Sequence, residues 1–298
     1  MAYLTAILTT TLITIISVVG IYLLTGMTGM FSLGQAAFMA IGAYASGLLV
    51  IKLGIPFWLA CIMAVTLSVG VGWVVGFPTV RLKRDYISLV TLGFGEALTA
   101  LLNKATKLTG GASGFVGIPP ITTFSLVLIS AIVITAMVAM FKTSKYGRQC
   151  SAIRCDELAA KAMGINVSKI KMMVFLLSVA ITSYSGCLYA FYTTYVDPSL
   201  FGWRKSADWV IMVFFGGAGS LTGSILAAFI LSGLPEFLRF LNDYRSIFYS
   251  ALVLIVLNFK PSGLLDTWEL TPKNVKKIFK RKDHKKEKIE GENSCPNL

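Results

Sequence analysis

The chain has 298 residues, a formal net charge of +13, 55% hydrophobic residues and only 14% charged ones. That composition excludes an ordinary soluble domain. Lysine and arginine are confined to a few loops and the C-terminal stretch, so the positive charge reads as membrane topology and not as a nucleic-acid surface.

Apolar runs cover approximately 4–24, 29–50, 57–77, 87–103, 122–141, 171–192, 208–218, 221–238 and 246–259. Most are near the roughly 20 residues that cross a bilayer, and their lack of period-two alternation excludes a transmembrane barrel. The expected fold class is therefore an all-α polytopic membrane protein with about 8–10 transmembrane helices. The first run, Leu4 to Leu24, has neither a basic n-region nor a small-residue cleavage signature and is read as a retained span.

In 29–47, Gly34, Ala37, Gly42, Ala43 and Ala45 to Gly47 predict close helix packing near the centre of the bundle, while Ser32 and Gln35 supply uncharged hydrogen-bonding groups. Packing accounts for most of that pattern; lining a translocation path is the alternative. Arg81, Lys83 and Arg84 form a first basic cluster. Glu96, inside an apolar run just after Gly93 and Gly95, needs a partner: a structural hydrogen bond to another helix or a place on a transport path. The loop Leu108 to Pro119 is expected to be irregular and external; with no preceding strand and no GK[ST] it is not a phosphate loop, and no Walker A sequence occurs in the chain.

The second basic cluster holds Lys142, Lys145, Arg148, Arg154, Lys161, Lys169 and Lys171. Within it, Arg148 to Met163 predicts one amphipathic helix stopped by Gly164, with Glu157 and Lys161 paired at i,i+4 and Ala152, Ala159, Ala160 and Met163 on one face. Ser168 is the expected cap of the next span. An alanine face suits a groove in a cytoplasmic protein better than lipid, which favours Trp, Phe or Leu; both readings stay open at this point.

Asp208 reads as the cap of a segment too short to span alone, ending at Gly216, Gly217 and Gly219. Keeping all basic clusters on the cytoplasmic side requires 208–218 and 221–238 to be separate passes, hence a break at those glycines. From Lys260 the chain becomes a third basic cluster, solvated or resting on an anionic inner leaflet. Five cysteines without a CxxC and a single histidine, His284, give no expected metal site.

GRQCSAIRCDELAAKAMGIN resembles the cytoplasmic coupling-loop motif of ABC importer permeases, in particular the high-affinity branched-chain amino acid permeases. TGMTGMFSLGQAAFMAIGAY (25–44), DYISLVTLGFGE (85–96), TGGASGFVGIP (109–119) and SADWVIMVFFGGAGSLTG (206–223) agree in the same order. The sequence departs at Cys155 and Lys161, where the family commonly has acidic residues, and at Ser224, where it commonly has proline. The resemblance implies a permease domain over 1–265 with a coupling loop at 142–171, and a basic cytoplasmic tail over 266–298. It implies that Arg148, Arg154, Glu157, Ala160, Met163 and Gly164 form the coupling helix that docks on an ATPase. Gly216, Gly217 and Gly219 would turn near the translocation path, to which Ser32, Gln35, Glu96 and Asp208 are also candidates. Implied partners are a homologous second permease, two ATP-binding cassette subunits that carry ATP and Mg, an extracytoplasmic solute-binding protein and membrane lipids, with no nucleic acid and no cofactor or metal in this chain. The implied location is the bacterial plasma (inner) membrane. The chain itself would be no enzyme. Relatives that import urea or short amides, and an ion-coupled secondary transporter or channel using Glu96, are the rival readings.

Overall fold

A computed structural model describes residues 2–82, 84–237, 250–251, 253–255, 258–260 and 263–265. Lys83, half of the 246–259 run and the tail over 266–298, with His284, lie outside the described residues.

Six helices among the described residues are long and apolar enough to cross a membrane. They are α1 (Ala2–Tyr22), extended by a π-helical turn over Leu23–Thr28, α2 (Gln35–Leu53), α3 (Phe57–Thr79), α4 (Arg84–Lys104), α6 (Phe124–Thr143) and α9 (Val167–Thr193). Shorter helices complete the set: α5 (Thr106–Thr109), α7 (Lys145–Cys155), α8 (Glu157–Ala162), α10 (Trp203–Gly216) and α11 (Leu221–Phe237). α10, with 14 residues, and α11, with 17, are shorter than the six, so the described residues hold six candidate spans where 8–10 were expected.

The centre of the bundle is α1, α2 and α9. In both α1 and α9, 72% of the apolar stretch is buried, against 22% for α4 and α6, so the latter are peripheral and turn most of their surface outward. Small residues make the α2–α9 contact possible, as the 29–47 pattern predicted. A Cβ on Gly42 would overlap the Ser183 carbonyl, and one on Gly186 would overlap the Met39 carbonyl. With no hydrophobic drive between helices in lipid, such close backbone approach supplies the packing. Polar bridges add to it: Ser17 to Ser185 at 2.7 Å and Ser183 to Ser68 at 2.7 Å, all four residues buried.

The loop over Leu108 to Pro119 is less irregular than expected. It contains the end of α5, a 3-10 turn over Gly111–Ser113 and a strand β1 (Phe115–Val116), which pairs antiparallel with β2 (Tyr195–Val196). Glycines at 110, 111, 114 and 117, all at positive φ, make these turns possible. The ribbon closes the end of the bundle where α9 finishes; residues 144–166 lie at the opposite end, where α9 begins.

Candidate functional site

The polar segment between α6 and α9 is built from side-chain caps. Ser144 Oγ accepts from the Gly147 amide at 3.3 Å and starts α7. Asp156, extended at φ −151°, accepts from the amides of Leu158 at 2.8 Å and Ala159 at 3.1 Å and starts α8. Gly164 at φ 81° ends it, with the Ile165 amide donating back to the Ala160 carbonyl at 3.1 Å. Asn166 then accepts from the Lys169 amide at 3.1 Å and starts α9. Two expectations are corrected: Arg148 to Met163 is two helices, because the short Asp156 carboxylate takes amides that a continuous helix would occupy, and the cap of α9 is Asn166 and not Ser168.

The two short helices face opposite ways. In α7, Gly147, Cys150 and Ile153 are buried, and burial pushes the Cys150 thiol up to about 11. Arg148 stays outside and donates to the Thr143 carbonyl at 3.1 Å. Arg154, expected on a docking face, turns inward: its guanidinium donates to the carbonyl of Gly26 and, at 2.9 Å, to that of Ala218. The expected alanine face does not survive, since Ala160 is buried and Ala152 half-buried while Ala159 and Met163 are exposed. The expected Glu157–Lys161 pair is replaced by an ion pair of Glu157 with the fully buried Lys171 of α9, at 2.7 Å. What projects is Leu158, 79% exposed, and Met163, 83% exposed, flanked by Cys155 and Lys161.

The glycine break is a tight hairpin. Gly216 and Gly223 meet so closely that a Cβ on either would overlap the other's backbone. Every carbonyl from Val213 to Gly219 has a donor. Gly217 N–H reaches Val213 and Phe214 at 3.1 and 3.0 Å, Leu264 N–H reaches Phe215 at 2.8 Å, Leu265 N–H reaches Gly216 at 3.2 Å, and Ser220 N–H reaches Gly217 at 2.9 Å. Arg154 takes Ala218, and Lys142 Nζ takes Gly219 at 2.7 Å while also donating to the Tyr22 hydroxyl at 2.6 Å.

At its other end α10 is capped from outside. The Trp203 amide donates to Glu96 Oε1 at 3.4 Å, so a carboxylate from α4 sits at the positive end of the α10 dipole. Among the described residues Asp208 caps no helix, contrary to expectation: α10 begins at Trp203, five residues earlier, and the Asp208 side chain is exposed on its flank. Ser32 and Gln35 are buried. Gln35 Oε1 accepts from Thr182 at 3.2 Å, and Ser206 of α10 accepts from the Ala36 amide at 2.9 Å. Ser32 Oγ, Gln35 Nε2, Ser178 Oγ and Trp209 Nε1 have no protein partner among the described residues. They leave spare hydrogen-bonding capacity where α2, α9 and α10 converge.

Lys142, Tyr22 and Lys171 were not picked out by sequence reasoning as site residues. The two lysines were visible only as members of a basic cluster, a signal that topology alone explains. Among the described residues no group of three or more His, Cys, Asp or Glu is gathered into a metal-binding arrangement.

Residues 3–257 match the family described as branched-chain amino acid transport system / permease component. The chain belongs to this family. It is 32% identical over 295 residues to the high-affinity branched-chain amino acid transport system permease protein LivM of Salmonella typhimurium, covering 86% of this chain and 68% of that protein. The LivM protein of Escherichia coli gives the same identity and coverage. LivH of Escherichia coli, named as a permease protein of the same kind of system, is 24% identical over 277 residues, covering 83% of this chain and 89% of that protein. No solved structure matches. Family membership and the apolar helices make the chain a transport permease that crosses the membrane several times.

Proposed function

We propose that this permease is the translocation subunit of an ATP-driven importer that brings leucine, isoleucine and valine into the cytoplasm by alternating access. The observation that carries the reading is the match to the branched-chain amino acid permease family from residue 3 to 257. Relatives named LivM and LivH both align with the chain, which supports pairing with a second, homologous permease. Two ATP-binding cassette subunits, carrying ATP and Mg, and an extracytoplasmic binding protein complete the assembly in the plasma (inner) membrane, with residues 144–166 and the basic tail on the cytoplasmic side.

The projecting Leu158 and Met163 are the surface offered to the ATPase. Their exposure is costly in water and they stand on a segment braced against the bundle, which suits insertion into a protein groove. Glu96 and Asp208 are exposed on the flank where α4 and α10 meet. A charge against lipid tails costs roughly 2.5–3.5 kcal/mol, so this flank turns to the second permease and the path between the subunits.

Proteoliposomes holding the whole complex test the reading. ATP inside, binding protein outside and no ion gradient are expected to give uptake of labelled leucine. Uptake by this chain alone on a proton gradient, without ATP, would refute it; preference for urea or a short amide over leucine would move the substrate class and leave the mechanism.

A further inference from the structure

We infer that Lys142 and Arg154 are positioning residues that lock the coupling segment to two helix breaks, so that displacement of the segment moves both breaks as one body. The inference rests on the ATP-driven reading above and adds residues and a route to it.

The two breaks are the π-helical turn after α1 and the hairpin between α10 and α11. A helix end leaves its last carbonyls without intrahelical donors, and in a water-poor bundle each unmet carbonyl is costly. Backbone amides supply the carbonyls of residues 213–217, but Ala218 and Gly219 are left for side chains. Arg154, from the end of α7, reaches Ala218 and also Gly26 in the π turn, so one guanidinium joins the two breaks. Lys142, from the last turn of α6, reaches Gly219 and the hydroxyl of Tyr22, and lies 5.3 Å from the centre of the Tyr22 ring. The Tyr22 hydroxyl in turn donates to Gly219 at 3.3 Å. Cations are favoured at these carbonyl-rich ends by the helix dipole, and the planar fork of arginine suits two acceptors at once.

The joint is sterically closed. A Cβ on Gly26 would overlap the Tyr22 ring and come within 3.0 Å of the Ala218 oxygen, so the π turn and the hairpin touch directly under the guanidinium. Both cations come from the segment that α8 terminates, or from the helix leading into it. Pulling on Leu158 and Met163 therefore pulls, through α7, on Gly26 and Ala218. Lys142 and Arg154 are thus transmitting groups and make no ATPase contact.

Lys142→Gln, Arg154→Gln and the conservative Arg154→Lys are to be assembled into the complete complex in proteoliposomes, and leucine uptake measured against ATP hydrolysis. The two glutamine variants are expected to retain ATPase subunits and to hydrolyse ATP within about twofold of the parent, while uptake per ATP falls about tenfold; Arg154→Lys recovers part of it. Loss of ATPase binding in either glutamine variant, or unchanged uptake per ATP in both, overturns the inference. A second measurement needs no disruptive variant: spin labels at Cys155 and at Thr222→Cys, with the buried Cys61, Cys150 and Cys187, and also Cys295, replaced by serine or alanine. Their separation is expected to be the same with and without ATP, whereas a separation that changes between the states overturns the single-body claim. Absence of ATP-driven uptake in the parent complex would instead refute the importer reading itself, which keeps the two failures apart.

Discussion

Helices α7 and α8 are adjacent in the chain, both outside the spans, and joined by the single residue Asp156, yet they treat their side chains in opposite ways. In α7 the chemically strong group, Arg154, points into the bundle and the buried positions are Gly147, Cys150 and Ile153. In α8 and at its C-terminal cap the apolar groups Leu158 and Met163 point away from it. The difference teaches that charge and exposed apolar surface are separable here: the Arg154 guanidinium is spent on carbonyls inside the bundle, and the apolar pair that projects is the surface we propose for another protein.

The strongest way to break this contrast is at the inward-facing helix. Gly147→Leu places a side chain where a Cβ already overlaps the Lys142 and Phe141 carbonyls. It is expected to cost more than about 3 kcal/mol and to abolish monodisperse protein in detergent, as seen by size exclusion and thermal unfolding. Normal unfolding of that variant would show that α7 is not anchored.

A smaller effect is expected where α8 is tied to α9. Glu157→Gln leaves the fully buried Lys171 without its carboxylate and should destabilise by about 2 kcal/mol, less than for a fully buried pair because Glu157 is partly exposed. Adding Lys171→Met should restore most of the loss, since an apolar side chain needs no partner there. If the double variant is no better than the single one, the ion pair is not what the site requires.

Changes on the outward face should barely register in stability. Leu158→Asp is expected to shift unfolding by no more than about 0.5 kcal/mol while ATPase capture falls at least about tenfold. A large loss of stability with retained capture would reverse the assignment of the two helices.

The mildest probe is chemical. At neutral pH a maleimide should label exposed Cys155 and spare buried Cys150, whose thiol is pushed up to about 11. The sign follows from burial: the neutral thiol is favoured in the folded state, so Cys150 contributes stability below its ordinary value of about 8.5 and loses it as pH rises through about 11. Labelling of both cysteines at the same rate at pH 7 would mean that α7 is open to solvent.

Much of this architecture can be read from residue patterns, because the signals are long or local. Apolar runs near the bilayer thickness mark the spans, the small residues of 29–47 mark the α2–α9 contact, and Gly164 and Gly216 to Gly219 mark stops that need little side-chain bulk. The break at Asp156 is harder to read, because helix propensity on both sides of CDEL favours one continuous helix and only the folded chain shows the carboxylate taking the amides of Leu158 and Ala159. What cannot be read locally is where a long side chain goes. Arg154 and Glu157 find partners 64 and 14 residues away, at Ala218 and Lys171, and no periodicity within 148–164 encodes those meetings. Glu96 is similar: it closes the end of a helix 107 residues further on, so its structural role is visible only once α4 and α10 are side by side.

The central claim, that α8 and not α7 meets the ATPase, is tested most directly by photo-crosslinking in the assembled complex, with the photoreactive residue placed at Leu158 or, as the inward control, at Ile153. Adducts with an ATPase subunit from position 158 and none from position 153 are the expected result. Adducts from 158 that fall only on lipid or on the second permease would contradict it.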